Sequence, residues 1–160
     1  GFFVSKAEIA DWPLFNWLAR LGRTIFADRS KRHQVKAVIR EIEERLDDDH
    51  SVILFPEAQA TDGTDVVLFK SAVFEAAVLA NRPVIPVSIR YHDGNRPTIA
   101  HYGNSFFAHI IRLLKNPRLQ ATVMVLQKIP AGPNRQTLAT QSYRVIRDKV
   151  IGASKNHRLP

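Results

Sequence analysis

The chain alternates short apolar runs with longer segments that have helical spacing or helix-forming composition. Runs of strand length occur at residues 2–4, 24–27, 52–55, 84–90 and 121–127. Helix-like segments occur at residues 12–21, 31–47, 68–80, 105–114 and 136–151. Because strands that alternate with helices pack in layers around a sheet, this order predicts an α/β fold, with a largely parallel central sheet flanked by helices.

The segment 31–47 carries the clearest helical pattern. Charged residues fill most of the positions between its apolar residues, which are Val35, Val38, Ile39, Ile42 and Leu46. Ser30 precedes the segment and is predicted to cap the helix. Farther along, Pro86 interrupts the run 84–90, which predicts an edge strand or a bulge, and residues 91–97 are predicted to form a turn.

The composition is typical of a globular domain with a substantial core. Of the 160 residues, 45% are hydrophobic and 24% are charged, and no linker-like segment divides them. We therefore predict one domain over residues 1–160. The absence of cysteine excludes a disulfide framework and a thiolate metal site. No apolar run approaches the roughly 18–20 residues that span a bilayer.

Positive charge is concentrated in the second half of the chain. The net charge is +8, but residues 1–89 carry −2 and residues 90–160 carry +10. A basic half attracts anionic partners, which include phospholipid surfaces, nucleic acid and phosphorylated ligands. The alternative is that these cations are solvated surface residues. Nucleic acid is disfavoured, since no helix-turn-helix, zinc or aromatic-platform pattern accompanies the charge.

Charged residues follow the first three predicted strands, and a further lysine lies near the start of a predicted helix. Lys6, Arg29 and Glu57 come after these strands, residues 90–92 follow the fourth, and Lys70 opens the helix. If the strands are parallel, their carboxyl ends meet at one sheet edge, where such folds place their ligands. Several cations around one pocket suit a phosphate, and a carboxylate among them suits a ligand hydroxyl. Taken singly, each residue has an alternative interpretation as a solvated or ion-paired surface residue.

The six histidines do not form a recognisable catalytic or metal-binding pattern. None has a carboxylate four or five residues downstream, and no pair has zinc-ligand spacing with a third ligand nearby. The chain also lacks a Gly-x-Ser-x-Gly elbow and a glycine-rich phosphate loop. We therefore predict no metal site and assign no catalytic histidine within these residues.

Several segments, in order, resemble the sequence blocks of the glycerophospholipid acyltransferase family. Gly22–Arg29 is similar to the second block, and Phe55-Pro56-Glu57 to the start of the third, with Phe69-Lys70 at the expected distance. Val84–Ile89, an apolar strand with a central proline, is similar to the fourth block. Val4–Glu8 resembles the lysine-containing segment before block two. The resemblance covers about residues 2–90 and implies an acyltransferase-like α/β domain.

The resemblance also implies a reaction and roles for the charged residues. An acyl chain would pass from acyl-CoA or acyl-carrier protein, as co-substrate, to the hydroxyl of a lysophospholipid or related lysolipid, with no further cofactor. Arg29 and Glu57 would belong to the acceptor site, and Lys6 and Lys70 would assist on the phosphate side. The expected location is the cytoplasmic face of a bacterial inner membrane, bound peripherally to its anionic surface. The loop Asp62-Gly63-Thr64 looks closer to bacterial members, including those that acylate lyso-ornithine lipid.

Two departures from the family pattern affect the expected activity. The first block, His-x-x-x-x-Asp, supplies the catalytic dyad upstream of Lys6, and it is not found in this chain. We therefore expect an N-terminally truncated fragment that is inactive by itself. In block three, Ala58-Gln59 replaces Gly-Thr, and an alanine resists a positive φ. This replacement favours the alternative that the protein is a catalytically degenerate module that binds lysolipid or acyl thioester.

Overall fold

The computed structural model describes residues 1–6, 23–27, 32–58, 65–93, 96–97 and 114–156, together with Trp17, Leu21 and Ile111. The chain divides into two compact units. Unit 1 comprises Gly1–Pro56, Phe69–Val84 and Pro130–Thr140, and unit 2 comprises Glu57–Leu68, Ile85–Ile129 and Gln141–Pro160. Each unit is built from three separate segments of the sequence. The single domain over residues 1–160 stays a prediction.

Unit 1 contains the predicted parallel sheet. Its strands are β1 (Phe2–Lys6), β2 (Thr24–Ala27) and β3 (Val52–Ile53), in the order β2-β1-β3. The pairing of β1 with β2 runs in parallel from Phe3 opposite Thr24 to Lys6 opposite Ala27. β3 joins the other side of β1, also in parallel. The α/β class with a parallel sheet is therefore confirmed, and β2 has the predicted bounds.

The helix α1 (Arg32–Asp47) packs its apolar stripe on this sheet. Val38 and Ile42 are buried together with Val4 and Ile25 of the strands. This stripe repeats at three- and four-residue intervals, so that one side of the helix removes its apolar surface from water. The predicted helix over 31–47 is thus confirmed to within one residue.

The predicted helix over 68–80 is shorter than expected. A 3₁₀ turn (Ser71–Phe74) leads into α2 (Glu75–Leu79), and the preceding Lys70 has an extended backbone. The Lys70 N–H donates to the carbonyl of Pro56 at 2.9 Å, so it is engaged outside the helix. Phe74 and Ala76 are buried and anchor this segment in unit 1. The alanine-rich composition indicated the helix but not this competing hydrogen bond.

Unit 2 contains an antiparallel sheet in the order β5-β4-β6. Its strands are β4 (Val87–Asp93), β5 (Arg96–Pro97) and β6 (Leu119–Val125). The expectation that the fourth apolar run adds to the parallel sheet is wrong, because residues 90–92 lie inside β4, which pairs antiparallel with β6. Of the predicted turn over 91–97, residues 91–93 lie in β4 and residues 96–97 in β5, whereas residues 94–95 lie outside the described residues. Apolar content indicates a strand but does not encode the direction of its partner. Pro86 precedes β4, where its carbonyl accepts from the Leu126 N–H at 2.9 Å.

The helix α3 (Arg135–Asn156) confirms the predicted final helix and extends beyond it. Asn134 caps its start, because its side-chain Oδ1 accepts from the Thr137 N–H at 2.9 Å. The predicted helices over 12–21 and 105–114 lie mostly outside the described residues, although Trp17, Leu21, Ile111 and Leu114 are helical. Among the helices that the structure describes, none is long and apolar enough to cross a membrane.

Candidate functional site

The carboxyl ends of β1 and β2 meet at one edge of the parallel sheet. Lys6 ends β1 directly opposite Ala27, which ends β2. β3 runs parallel to both, so the chain that continues to Phe55 leaves the sheet in the same direction. The first three predicted strands are therefore parallel, and their carboxyl ends are directed to the same side of the sheet. The Lys6 side chain and the whole of Arg29 lie outside the described residues, so their predicted roles stay predictions.

Glu57 lies in the turn that follows β3, and its carboxylate is half-buried. The Val67 N–H donates to Glu57 Oε2 at 3.1 Å, across ten positions of sequence. This bond joins the two ends of the segment between Glu57 and Val67, which we call the block-three loop. It also orients the Glu57 carboxylate. Sequence reasoning identified Glu57, but it did not identify the backbone donor.

Ala58 adopts a left-handed backbone directly after this glutamate. Its φ is 61°, in the region that favours glycine. The sequence predicts that an alanine resists this conformation, yet the turn is kept with a β-carbon in place. The chain thus holds the backbone shape that a glycine would supply, at the cost of local strain. Gln59 lies outside the described residues.

A bidentate ion pair holds the far end of the same loop within unit 2. Asp65 Oδ1 accepts from Arg147 Nε at 3.0 Å, and Asp65 Oδ2 accepts from Arg147 Nη2 at 3.2 Å. Asp65 Oδ1 also accepts from the Val66 N–H at 2.7 Å. The hydrogen bond from Arg147, followed by that from Val66, lowers the pKa of Asp65, and the hydrogen bond to Asp65 raises the pKa of Arg147.

Sequence reasoning missed this pair because its members lie 82 positions apart. No local spacing indicates such a contact. Its effect is local, however, because Asp65 binds Val66 and the next residue, Val67, binds Glu57. The ion pair and the block-three glutamate therefore anchor adjacent backbone amides of one loop.

Lys70 is exposed and extended, one residue before the 3₁₀ turn. Its hydrogen bond to the Pro56 carbonyl joins the Phe-Pro-Glu and Phe-Lys segments through their backbones. The neighbouring Phe69 ring stacks on the buried Phe74 ring, with 6.3 Å between their centroids. The backbone at Lys70 is therefore anchored, while its long side chain faces solvent.

Other acidic residues and histidines of the described chain make separate contacts and form no metal site. Asp49 pairs with Arg82 at 3.1 Å. His50 is exposed, and its Nδ1 lies 2.8 Å from the carbonyl of Asp48. Within the described parts of the chain, no three histidine or carboxylate side chains come together as metal ligands do.

Comparison with known proteins gives the context for these features. The lyso-ornithine lipid O-acyltransferase of Rhodobacter capsulatus is 32% identical over 157 residues, which cover 91% of this chain and 56% of that protein. The enzyme of the same description from Pseudomonas aeruginosa is 30% identical over 158 residues, covering 95% and 60%. The 1-acyl-sn-glycerol-3-phosphate acyltransferase of Neisseria gonorrhoeae is 32% identical over 106 residues, covering 63% and 42%.

A solved structure has the same fold over the whole of this chain. It is the 1-acyl-sn-glycerophosphate acyltransferase PlsC from Thermotoga maritima, with a TM-score of 0.62 and 21% sequence identity. The match covers 100% of this chain and 58% of that one, so the chain spans somewhat more than half the length of such relatives. This similarity confirms the acyltransferase-like α/β fold.

The family assignment has independent support in sequence. The acyltransferase family model matches residues 1–90, more than half of the chain. The matched region includes the parallel sheet, the turn at Glu57 and the anchored segment at Lys70. These agreements establish that the chain belongs to the glycerophospholipid acyltransferase family.

Proposed function

We propose that the whole protein transfers an acyl chain from a thioester to the hydroxyl of a lysolipid, in the synthesis of membrane lipids. The observation that carries this proposal is the block-three turn, in which the Val67 N–H fixes one oxygen of the Glu57 carboxylate. A carboxylate held in this way is oriented before the ligand binds, which lowers the entropic cost of binding an acceptor hydroxyl.

In this proposal the cations bind the anionic part of the acceptor. Arg29 binds through its planar fork of donors, and Lys6 and Lys70 act as compact charges beside it. The proton transfer belongs to a His-x-x-x-x-Asp dyad, which we place outside residues 1–160, because none of the six histidines here has an aspartate at that spacing. The histidine deprotonates the hydroxyl, which attacks the thioester carbonyl, and the thiol leaves. Residues 1–160 alone are then expected to be inactive.

Lyso-ornithine lipid is the acceptor that we favour. Two relatives with this description match 91% and 95% of the chain, and two more match 56% and 49%. The gonococcal 1-acyl-sn-glycerol-3-phosphate acyltransferase matches 63%, so the two most extensive of these matches favour lyso-ornithine lipid. An ornithine headgroup carries a carboxylate and an amine in place of a phosphate. Arginine and lysine bind a carboxylate as they bind a phosphate, so the same cations suit this headgroup.

The donor is either acyl-CoA or acyl-carrier protein, and the enzyme works at the cytoplasmic face of an anionic membrane. The +10 charge of residues 90–160 supports both the carrier-protein donor and the membrane location. An acidic carrier protein and an anionic bilayer are each attracted to a basic surface. Measuring kcat/KM separately with acyl-CoA and with acyl-carrier protein at one ionic strength identifies the donor, since the true donor gives the higher value.

The test is an acyl-transfer assay of the whole protein with lyso-ornithine lipid and lysophosphatidic acid. Glu57→Gln is expected to lower kcat/KM by about 10- to 100-fold, the effect of losing a hydrogen bond to a charged group. Glu44→Gln, which changes an exposed carboxylate of α1, is the matched control and is expected to leave the rate unchanged. Equal rates for Glu57→Gln and the parent would refute the role of Glu57.

A second candidate is a degenerate member that binds lysolipid or acyl thioester without turnover. Ala58-Gln59 in place of Gly-Thr favours it, since this change lies next to Glu57. This candidate predicts saturable binding of lysolipid together with no acyl transfer by the whole protein. Measurable turnover that is lost in Glu57→Gln would exclude it.

A further inference from the structure

The antiparallel sheet of unit 2 is apolar on the face that is exposed. Residues directly opposite each other on β4 and β6 share a face, because paired side chains of an antiparallel ladder point the same way. One face therefore carries six apolar or aromatic residues, in the pairs Val87–Val125, Ile89–Val123 and Tyr91–Ala121. We call these six residues the apolar face.

The apolar face is exposed, although β6 has exposed residues on both of its sides. Val125 is 70% exposed and Val123 is 58% exposed, and the paired residues Val87, Ile89 and Tyr91 are also exposed. In contrast, Ser88, on the opposite side of β4, is 2% exposed. Sheets that face water on one side normally turn their polar residues outward. A contiguous exposed apolar surface of this kind marks a binding surface.

Cations lie at both ends of the strand that supplies half of this face. Arg118 directly precedes β6, Lys115 lies four residues before the first residue of β6, and Lys128 lies three residues after its last residue. All three side chains are exposed. Residues 114–129 contain no aspartate or glutamate, so no acid in this segment offsets the charge. An apolar surface flanked by cations complements an anionic bilayer, which offers acyl chains next to negative headgroups.

We propose that the apolar face docks onto an anionic membrane surface, with its valines and Ile89 in the acyl boundary and Tyr91 at the headgroup level. Lys115, Arg118 and Lys128 then pair with lipid phosphates. A tyrosine suits this level because one end of its ring is apolar and the other is polar. This inference rests on the proposed location at an anionic membrane, and it adds the surface that binds there, which is separate from Glu57 and from turnover.

The first test measures the binding of the whole protein to vesicles. The double variant Val123→Thr/Val125→Thr keeps the branched strand residues and removes apolar surface, and is expected to weaken binding about tenfold. Each of Lys115→Gln, Arg118→Gln and Lys128→Gln is expected to weaken binding about fivefold with vesicles that contain phosphatidylglycerol. These charge changes have no effect with pure phosphatidylcholine.

Two matched controls change a different surface of the protein. Leu79→Thr removes an exposed apolar side chain, and Lys36→Gln/Arg40→Gln removes two exposed charges, all in unit 1. We expect both to bind vesicles as the parent does. If the control variants weaken binding as much as the variants of the apolar face, the proposal is wrong. Binding would then depend on the total charge and apolar surface of the protein and not on this face.

The second test reports insertion directly and does not depend on a loss of binding. These 160 residues contain no cysteine, so a single Val125→Cys accepts an environment-sensitive fluorophore at a unique position within them. Its emission is expected to shift to the blue on anionic vesicles, whereas a label on the exposed Gln141→Cys of α3 does not shift. A label at Val125→Cys that is already shielded before vesicles are added would overturn the proposal, because the rest of the whole protein would then cover this face. Self-association that is lost in Val123→Thr/Val125→Thr would overturn it in favour of a second copy.

The last measurement separates this proposal from the proposed reaction. With lysolipid dispersed in detergent, the apolar-face variants are expected to transfer acyl chains at the parent rate, and to be slow only on vesicles. Glu57→Gln is expected to be slow in both assays and to bind vesicles normally. Loss of vesicle binding by Glu57→Gln as well would refute a separate docking surface, whatever its effect on turnover.

Discussion

Replacing Ala58 by glycine is expected to stabilise the protein. Ala58 has a φ of 61°, where the β-carbon of an L-residue approaches the following carbonyl oxygen. Removing that β-carbon relieves about 1–2 kcal/mol of strain. The glycine also loses about 0.5–1 kcal/mol more conformational free energy on folding. The balance is a gain of about 0.5–1 kcal/mol in the free energy of unfolding.

Ala37→Gly is the matched control, because it makes the same chemical change where the backbone is helical. Ala37 is exposed in the interior of α1, so glycine there is expected to lower the free energy of unfolding by about 1 kcal/mol. The two substitutions should therefore differ in sign. For a chain of 160 residues, the gain from Ala58→Gly corresponds to a rise in Tm of about 1–4 °C.

The assay is urea denaturation followed by circular dichroism, with the slope compared between variants. An unchanged slope shows that the midpoint reports stability and not a change in the unfolded state. If Ala58→Gly lowers the midpoint as Ala37→Gly does, the left-handed turn after Glu57 carries no strain from its β-carbon. The reasoning from φ would then be wrong.

Three other substitutions test the described contacts. Phe74→Ala is expected to cost about 3–5 kcal/mol of unfolding free energy, since this ring is fully buried, whereas the exposed Leu68→Ala costs under about 1 kcal/mol in the same denaturation experiment. Asn134→Ala is expected to cost about 1 kcal/mol by removing the cap of α3, and Asn134→Ser should restore most of it. For Asp65, whose folded pKa lies below the ordinary 3.8, the pair with Arg147 stabilises the fold above that pH. The advantage of the parent over Asp65→Asn should therefore shrink as the pH of the thermal melts falls below 3.8, and a constant difference would contradict this.

Elements whose signals are local could be predicted from the sequence pattern. β2 has the predicted bounds and α1 differs by one residue, because the apolar spacing within each segment reports directly which side is buried. The Phe-Pro-Glu and Phe-Lys segments are also local patterns, and they identified Glu57 and Lys70 before any contact was known.

Contacts between distant groups became known only from the folded chain. It joined the Lys70 amide to the Pro56 carbonyl, and Arg147 to Asp65 across 82 positions. It also paired β4 antiparallel with β6, although β4 belongs to an apolar run that resembled another parallel strand. The physical reason is that hydrophobic periodicity specifies how one segment is buried, whereas partners and strand direction depend on the path of the chain between segments.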